Sequence, residues 1–486
     1  MNATALYNKD DQVTYAIMHA MLQTSGLTIT TAQLAEVYAL TNYQIGKYFN
    51  ALNTDLQIVS TDKPIYLDET QRGVWHANNL TTYGLQRLGL LYLQRSSTFL
   101  VFEYRFLYSN LLSKREYIDK QAISTPSFYS FANTLDKTLQ AEGFFTTSGP
   151  FDDPEYTIRV HLFELYYTAY TGVSTPFTSM NVTVAGLLKL IAAFIGTPLR
   201  PSQTTKLSVF VKLWLLRVRN QGQLTHDLLP HHAIDAEADA FITQVQHYMQ
   251  PLEALSWREC NYLYTFLVAQ GFVSFGPHEH LATAFPQASA LTHQFLTALT
   301  ARTKLVEQAL LDEAKLTAEL DQIHLQYTSF FVEPTTFIDP EQVTFFQELY
   351  PGFDAVIAAF ITTLQQSDPH LSQNGAVNLY FSYMFALIAA IPQQALNDLV
   401  YICVDFSQGS LYSDYVIQTL AAFSHAHIVI EPNISADTDI YISDFHADAL
   451  SQPQVIWQNP PTPNDWSNLA DMILDIKQAK TATLLH

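Results

Sequence analysis

Residues 28–56, TITTAQLAEVYALTNYQIGKYFNALNTDL, contain two helix-start signals eleven residues apart. Thr30 with Gln33, and Thr41 with Gln44, each fit a capping box. There a threonine hydroxyl accepts from the backbone N–H three residues on and the glutamine side chain returns the bond. Two capped helices joined this tightly must fold back on each other as a helix-turn-helix. In the second helix Ile45, Phe49, Leu52 and Leu56 recur at helical spacing and predict the buried stripe. The opposite side carries Asn42, Tyr43, Lys47, Asn50 and Asn53, groups that can reach base edges or phosphates. Residues 56–77 then alternate around a proline-bearing turn, LQIVSTDKPIYLD followed by RGVWHA, which predicts a β-wing with Lys63 near its tip and Arg72 beyond it.

The same logic recurs in residues 113–140, SKREYIDKQAISTPSFYSFANTLDKTLQ. Ser113 and Glu116 box the first helix, and Thr125 with Pro126 opens the second. Phe128, Phe131, Leu135 and Leu139 form the expected buried stripe, leaving Ser127, Ser130, Asn133, Thr134 and Lys137 outward. Lys114 and Arg115 add cations at the start of the first helix. Arg87, Arg95 and Arg105 lie on two helices expected between the units, in residues 80–112. Residues 1–140 hold eleven basic and eleven acidic side chains, so the formal charge of −21 falls entirely on residues 141–486. So acidic a body cannot lie along a phosphate backbone, whereas a neutral head can.

The remainder bounds the fold class. A chain of 486 residues is too long for one core. With 48% hydrophobic and 13% aromatic residues, it is not a mostly disordered one. Only 16 glycines and long helical periodicities predict a mainly α, multidomain protein. Its segments read as a winged helix-turn-helix (1–78), a second helix-turn-helix (79–150), two helical-bundle modules (151–277 and 278–396) and a small α/β domain (397–486). In the last, LVYICVDF, HIVIEP, DIYISDF and QVIWQN alternate with helical patterns, which predicts an open parallel sheet. Two distant cysteines, Cys260 and Cys403, offer neither a disulfide framework nor a zinc site and suit a reducing compartment. The N-terminal MNATALYNKDDQ lacks a charged-then-apolar pattern, and the apolar stretches 184–196 and 384–392 are too short to span a bilayer. The expectation is a cytoplasmic protein without a membrane partner. His278-Glu279-His280 and the group His226, His231 and His232 lack zinc spacing, and no G-x-S-x-G or phosphate-binding glycine loop occurs. Neither a metal, nor a cofactor, nor an enzymatic role is expected.

Residues 127–145 and 153–177, SFYSFANTLDKTLQAEGFF and DPEYTIRVHLFELYYTAYTGVSTPF, resemble the Mga-type family of virulence and metabolic regulators. The resemblance rests on Glu155 and Arg159 in E-x-x-x-R spacing, then Phe163, Tyr166, Tyr167, Tyr170, Gly172, Pro176 and Phe177. It extends more loosely to residues 212–224, 320–331 and the terminal α/β domain. It implies two DNA-binding units, two modules like phosphotransferase-system regulation domains, and a domain like the enzyme-IIB component of that system. Members act as dimeric transcription activators adjusted by histidine phosphorylation, with the system's phosphocarrier protein as donor. The chain departs from the pattern where a Gly-His pair gives way to Gly222-Gln223, and where no histidine lies between His370 and His425. The phosphorylation candidates are therefore His324, in the matching Leu-x-x-Ile-His run, with His226 and His370. Cys403, where an enzyme-IIB cysteine would stand, is followed by Asp405 and a single glycine. That acidic loop predicts a domain kept for fold and association.

The sequence thus reads as a dimeric regulator that binds double-stranded promoter DNA through Asn42, Tyr43, Lys47, Asn50, Lys63, Arg72, Lys114, Arg115, Ser127, Ser130, Asn133 and Lys137. The alternative is a signalling protein that docks phosphotransferase components without binding DNA.

Overall fold

In the computed structural model of the protein both threonine boxes close. The hydroxyls of Thr30 and Thr41 accept from the backbone N–H of Gln33 and Gln44, and each glutamine Oε1 accepts from its threonine N–H in return. The structure describes residues 3–24, 26–146, 151–276, 278–301, 312–334, 336, 338–369, 371–392, 398–407, 409–421, 428–458 and 460–485. The chain is mostly helical and divides into two compact units. The first is Met1–Ser274 together with Ser329–Val332; the second is Phe275–Thr328 with Glu333–His486.

The first unit opens with α1 (Lys9–Leu22), β1 (Thr28–Thr30), α2 (Thr31–Tyr38), α3 (Asn42–Val59), β2 (Tyr66–Gln71) and β3 (Val74–Asn78). Strands β1 and β2 both pair antiparallel with β3, Thr28 opposite His76 and Tyr66 opposite Asn78. Ile45, Phe49, Leu52 and Leu56 are buried as their spacing requires, and Phe49 meets Trp75 edge-on with ring centroids 4.6 Å apart. Because α3 continues to Val59, residues 56–59 are helix where the sequence pattern suggests strand. The hairpin tip therefore falls at Arg72-Gly73, and Lys63 lies in the connection before β2. Gly46, mid-way through the first half of α3, costs the helix roughly 1 kcal/mol relative to alanine. A Cβ built there would meet nothing within 4 Å, and its φ is not positive. Elsewhere the reason for a helical glycine is visible: at Gly84, Gly89 and Gly186 a Cβ would collide with Ile65, Tyr7 and Tyr248.

Next come α4 (Thr82–Gln94), α5 (Ser97–Glu103), a π-helical turn (Tyr104–Tyr108), α6 (Lys114–Lys120) and α7 (Thr125–Ala141). Ser113 and Glu116 form their box, but α7 is capped by Ser124, whose hydroxyl accepts from Ser127 N at 3.2 Å; Thr125 is already helical. Phe128, Leu135 and Leu139 are buried, whereas Phe131 is only half-buried at the edge of that stripe. Then follow α8 (Pro154–Tyr170), α9 (Asn181–Ile195), α10 (Pro201–Arg219), α11 (Ala236–Met249) and α12 (Trp257–Ala269). Phe330, from the returning segment, sits among Tyr156, Tyr262 and Phe266 with centroids 5.3–5.8 Å away.

Thr178–Ile195 is one helical stretch of mean hydropathy 1.6, sufficient by length and composition alone to cross a membrane and longer than the apolar run read from the sequence. It gains length because a 3-10 turn (Thr178–Met180) runs straight into α9. Within the unit Val184, Leu187 and Ile191 of α9 are buried, and the Tyr248 hydroxyl donates to Thr183 O at 3.3 Å.

The second unit contains α13 (His278–Ala284), α14 (Pro286–Thr300), α15 (Glu313–Thr328), α16 (Pro340–Leu349), α17 (Pro351–Ser367) and α18 (Gln373–Ala390). Its aromatic core includes Phe295, Phe353, Phe360, Tyr380 and Tyr383. From there the chain forms β4 (Val400–Asp405), α19 (Ser410–Ala421), β5 (Ile428–Glu431), β6 (Ile440–Ser443), β7 (Gln454–Ile456) and α20 (Pro463–Leu485). The strands make the expected parallel sheet in the order β5-β4-β6-β7, with Val400 opposite Ile428 and Ile402 opposite Ile440. Helix α20 fastens this sheet to the helices before it. The buried Lys477 donates to Leu349 O and pairs with Asp398 at 3.3 Å, and Lys480 donates to Leu399 O at 2.7 Å.

Candidate nucleic-acid interface

Helix α3 has one acidic residue, Asp55, and it is turned inward. Arg95 of α4 binds it through two bonds of 2.8 and 2.9 Å and also clamps Asp11 of α1. The exposed face of α3 consequently carries no carboxylate from the helix itself. Asn42, Tyr43, Lys47 and Asn50 all stand on it, Tyr43 82% exposed and the Lys47 side chain 66% exposed. Their spacing makes a stripe along one side of the helix, as the period of 3.6 dictates. Arg72 is exposed at the hairpin tip, where Gly73 adopts φ +77° and its N–H donates to Glu69 Oε1 at 2.6 Å. Lys63 is exposed in the connection between α3 and β2.

Three residues grouped with these in the sequence have partners within the fold. Asn53 clamps β2, its side chain accepting from Leu67 N at 2.7 Å and donating to Leu67 O at 3.0 Å. Arg95 is the internal ion partner just described, and Arg105 pairs with Asp136. Asn53 and Arg95 are thereby held by the fold, whereas Arg105 is engaged only in a surface pair, its side chain 43% exposed. Lys47 has a neighbour that its local sequence does not reveal: Asp10 of α1 lies 3.9 Å from its ammonium and also accepts from the Tyr48 hydroxyl at 3.1 Å.

In the second pattern Ser130, Asn133 and Lys137 are exposed on α7. Ser127 is half-buried, its hydroxyl accepting from Ser124 Oγ at 2.7 Å, so it completes the cap more than it faces outward. Lys114 lies over the Tyr129 ring at 4.8 Å, and Arg115 stands 4.0 Å from Asp119 on an exposed surface. Among the described residues Lys63, Arg72 and Lys137 have no ion-pair partner.

The E-x-x-x-R pair of α8 is the seed of a buried ionic network. Arg159 donates to Glu155 at 2.9 Å, to Glu259 of α12 at 2.7 and 3.0 Å, and to Gly222 O at 2.9 Å. Glu155 also accepts from Arg217 of α10 at 2.9 Å, and the Trp214 indole donates to Glu259 at 2.9 Å. Arg217 and Asn220 both donate to Phe106 O in the π-helical turn. Gly222 is required by this packing, since a Cβ there would run into Arg217 and Glu155. Just beyond it, Asp153 Oδ2 accepts from Thr225 N at 2.6 Å, from the Thr225 hydroxyl at 2.7 Å and from His226 N at 3.3 Å. Burial acts to raise the Asp153 carboxyl, but these bonds together with those from Tyr156 N and Glu155 N hold it below its ordinary value.

The three histidine candidates diverge. His226 is exposed on this pinned loop, with Nδ1 2.8 Å from the Thr225 hydroxyl. His324 is fully buried in the second unit, Nδ1 2.9 Å from Thr292 Oγ1 and Nε2 3.0 Å from the Tyr383 hydroxyl. Burial drives its pKa down to about 3, so the ring is neutral and enclosed, with no nitrogen open to a phosphoryl donor. His370 lies outside the described residues, as do the side chains of His278 and Glu279.

Cys403 sits near the end of β4, 3% exposed. Burial raises its thiol pKa, with Asp405 and Glu431 adding to the effect. The loop that follows is held by Asp444, which accepts from Ser407 N at 2.9 Å. A carboxylate thus already takes a backbone donor of the kind that would cradle a phosphate.

No protein-family model matches the chain, and no curated protein matches it.

Proposed function

We propose that the protein is a DNA-binding transcription regulator that works as a homodimer and has no catalytic activity of its own. One observation carries this reading: the order α1-β1-α2-α3-β2-β3, in which α3 turns outward a face of amides, a phenol and an ammonium with no carboxylate of its own, next to a hairpin tipped by Arg72. That order and that face suit a winged helix-turn-helix, with α3 as the helix for the major groove and the hairpin as the wing against phosphates. Helices α6 and α7 serve as a second unit of the same kind. A net charge of zero over the head gives little non-specific attraction, so two copies and base contacts are needed for useful affinity.

The acidic helical modules and the enzyme-IIB-like sheet form the regulatory body of a cytoplasmic, Mga-type activator. The phosphocarrier of the sugar phosphotransferase system is its partner, and His226 is the residue to modify, being exposed where His324 is enclosed. The buried, acid-flanked Cys403 supports a sheet domain that no longer accepts phosphate.

Binding of the purified chain to promoter-length duplexes at several salt concentrations tests the first part. The wild type should show salt-dependent binding. Lys47→Ala with Lys137→Ala should weaken it on all sequences and lower the salt slope by about one for each phosphate no longer neutralised. An absence of salt-dependent binding by the wild type would leave only docking to phosphotransferase components. For the second part, incubation with the general phosphotransferase proteins should label His226 and spare His324. Label on neither histidine removes the switch.

A further inference from the structure

We propose that Gly46 is the point at which α3 comes closest to duplex DNA, an inference that rests on the DNA-binding reading above. A glycine inside a helix is ordinarily explained by a terminus, a positive φ or a neighbour that leaves no room for a Cβ. Gly46 is the fifth residue of an 18-residue helix and does not adopt a positive φ, and a methyl group placed on it would face open space within 4 Å. The fold therefore gives no reason for it, although its absence of a side chain weakens the helix. What remains is a body outside the chain that needs the bare backbone.

The surroundings say which body. Gly46 is half-buried at the flank of the exposed face, one turn after Tyr43 and one turn before Asn50. With nothing within 4 Å of where its Cβ would be, it leaves a notch at the edge of the face that carries the exposed Tyr43 and Asn50. An α-helix with its side chains is about 10–12 Å across and the major groove about 12 Å wide, so one missing side chain at the flank of the groove-facing stripe sets how deep the helix can seat. Tyr43 and Asn50 then reach base edges on either side of the notch, and their reach depends on that depth.

The test uses the full chain and a duplex enriched from a randomised library on the wild-type protein. Gly46→Ala should raise the melting temperature by roughly 1–3 °C, because alanine favours the helix. The same change should weaken binding to the enriched duplex about tenfold, and Gly46→Leu more than that. Binding to an unrelated duplex, carried by phosphate contacts, should change by less than about twofold. Unchanged affinity of Gly46→Ala for the enriched duplex overturns the proposal. So does an affinity loss accompanied by a lowered melting temperature, which would assign Gly46 to the fold. A wild type with no salt-dependent duplex binding would sink the function and the proposal together, and is distinct from a binder indifferent to residue 46.

Discussion

Arg159→Met is expected to lower the stability of the first unit by about 3–5 kcal/mol, because it leaves the buried Glu259 carboxylate without its cation and Glu155 with one in place of two. Glu155 and Glu259 are 7% and 4% exposed, and Arg159 donates to both. Arg217 would still hold Glu155, but Glu259 would retain only the Trp214 indole and the long bond from Leu224 N at 3.4 Å. Urea unfolding followed by tryptophan fluorescence measures the effect, Trp214 reporting from within the network. Arg258→Met is the comparison. Its pair with Asp227 at 2.9 Å is partly solvated, and an exposed pair is worth at most about 1 kcal/mol. Equal losses in the two variants would show that the buried network is no more than a surface pair in its contribution.

The second large effect is set by pH and belongs to the second unit. His324 stays neutral in the fold down to about pH 3, whereas an unfolded histidine takes its proton near 6.5. Between those values the unfolded chain binds the extra proton, so stability rises with pH across the window and is complete above about pH 6.5. The difference amounts to on the order of 4–5 kcal/mol if the whole shift is realised. Denaturant midpoints of wild type and His324→Gln between pH 3 and 7 should therefore converge as the pH falls. Parallel curves would mean that His324 contributes nothing to acid sensitivity.

Local signals are legible in the sequence; partnerships across the chain are not. The boxes at Thr30, Thr41 and Ser113 involve residues three apart, so chemistry and spacing alone announce them. The same holds for the alternation that gives the parallel sheet. The hairpin tip falls later than the alternation suggests because α3 holds its period through Val59, where the residues also fit the start of a strand. Asn53 has the helix face of a base reader; only the distant Leu67 shows that its amide is spoken for. Glu155 and Arg159 can be paired from their spacing, but Arg217 and Glu259 lie on other helices and carry no local mark. For His324 a signal is present. Leu316, Leu320 and His324 repeat every four residues, which places the ring on the buried side of α15, and all three are fully buried.

Phe330 reaches the first unit only after the chain has made α13, α14 and α15 of the second. Its ring packs with Tyr156, Tyr262 and Phe266, residues synthesised long before it. During translation, then, the first unit cannot complete its aromatic core when Ser274 leaves the ribosome; it waits for the segment Ser329–Val332. A product ending at residue 274 would lack Phe330 and with it the ring contacts to Tyr156, Tyr262 and Phe266. The first unit is therefore discontinuous in the chain, and a boundary drawn at residue 274 does not contain all of it.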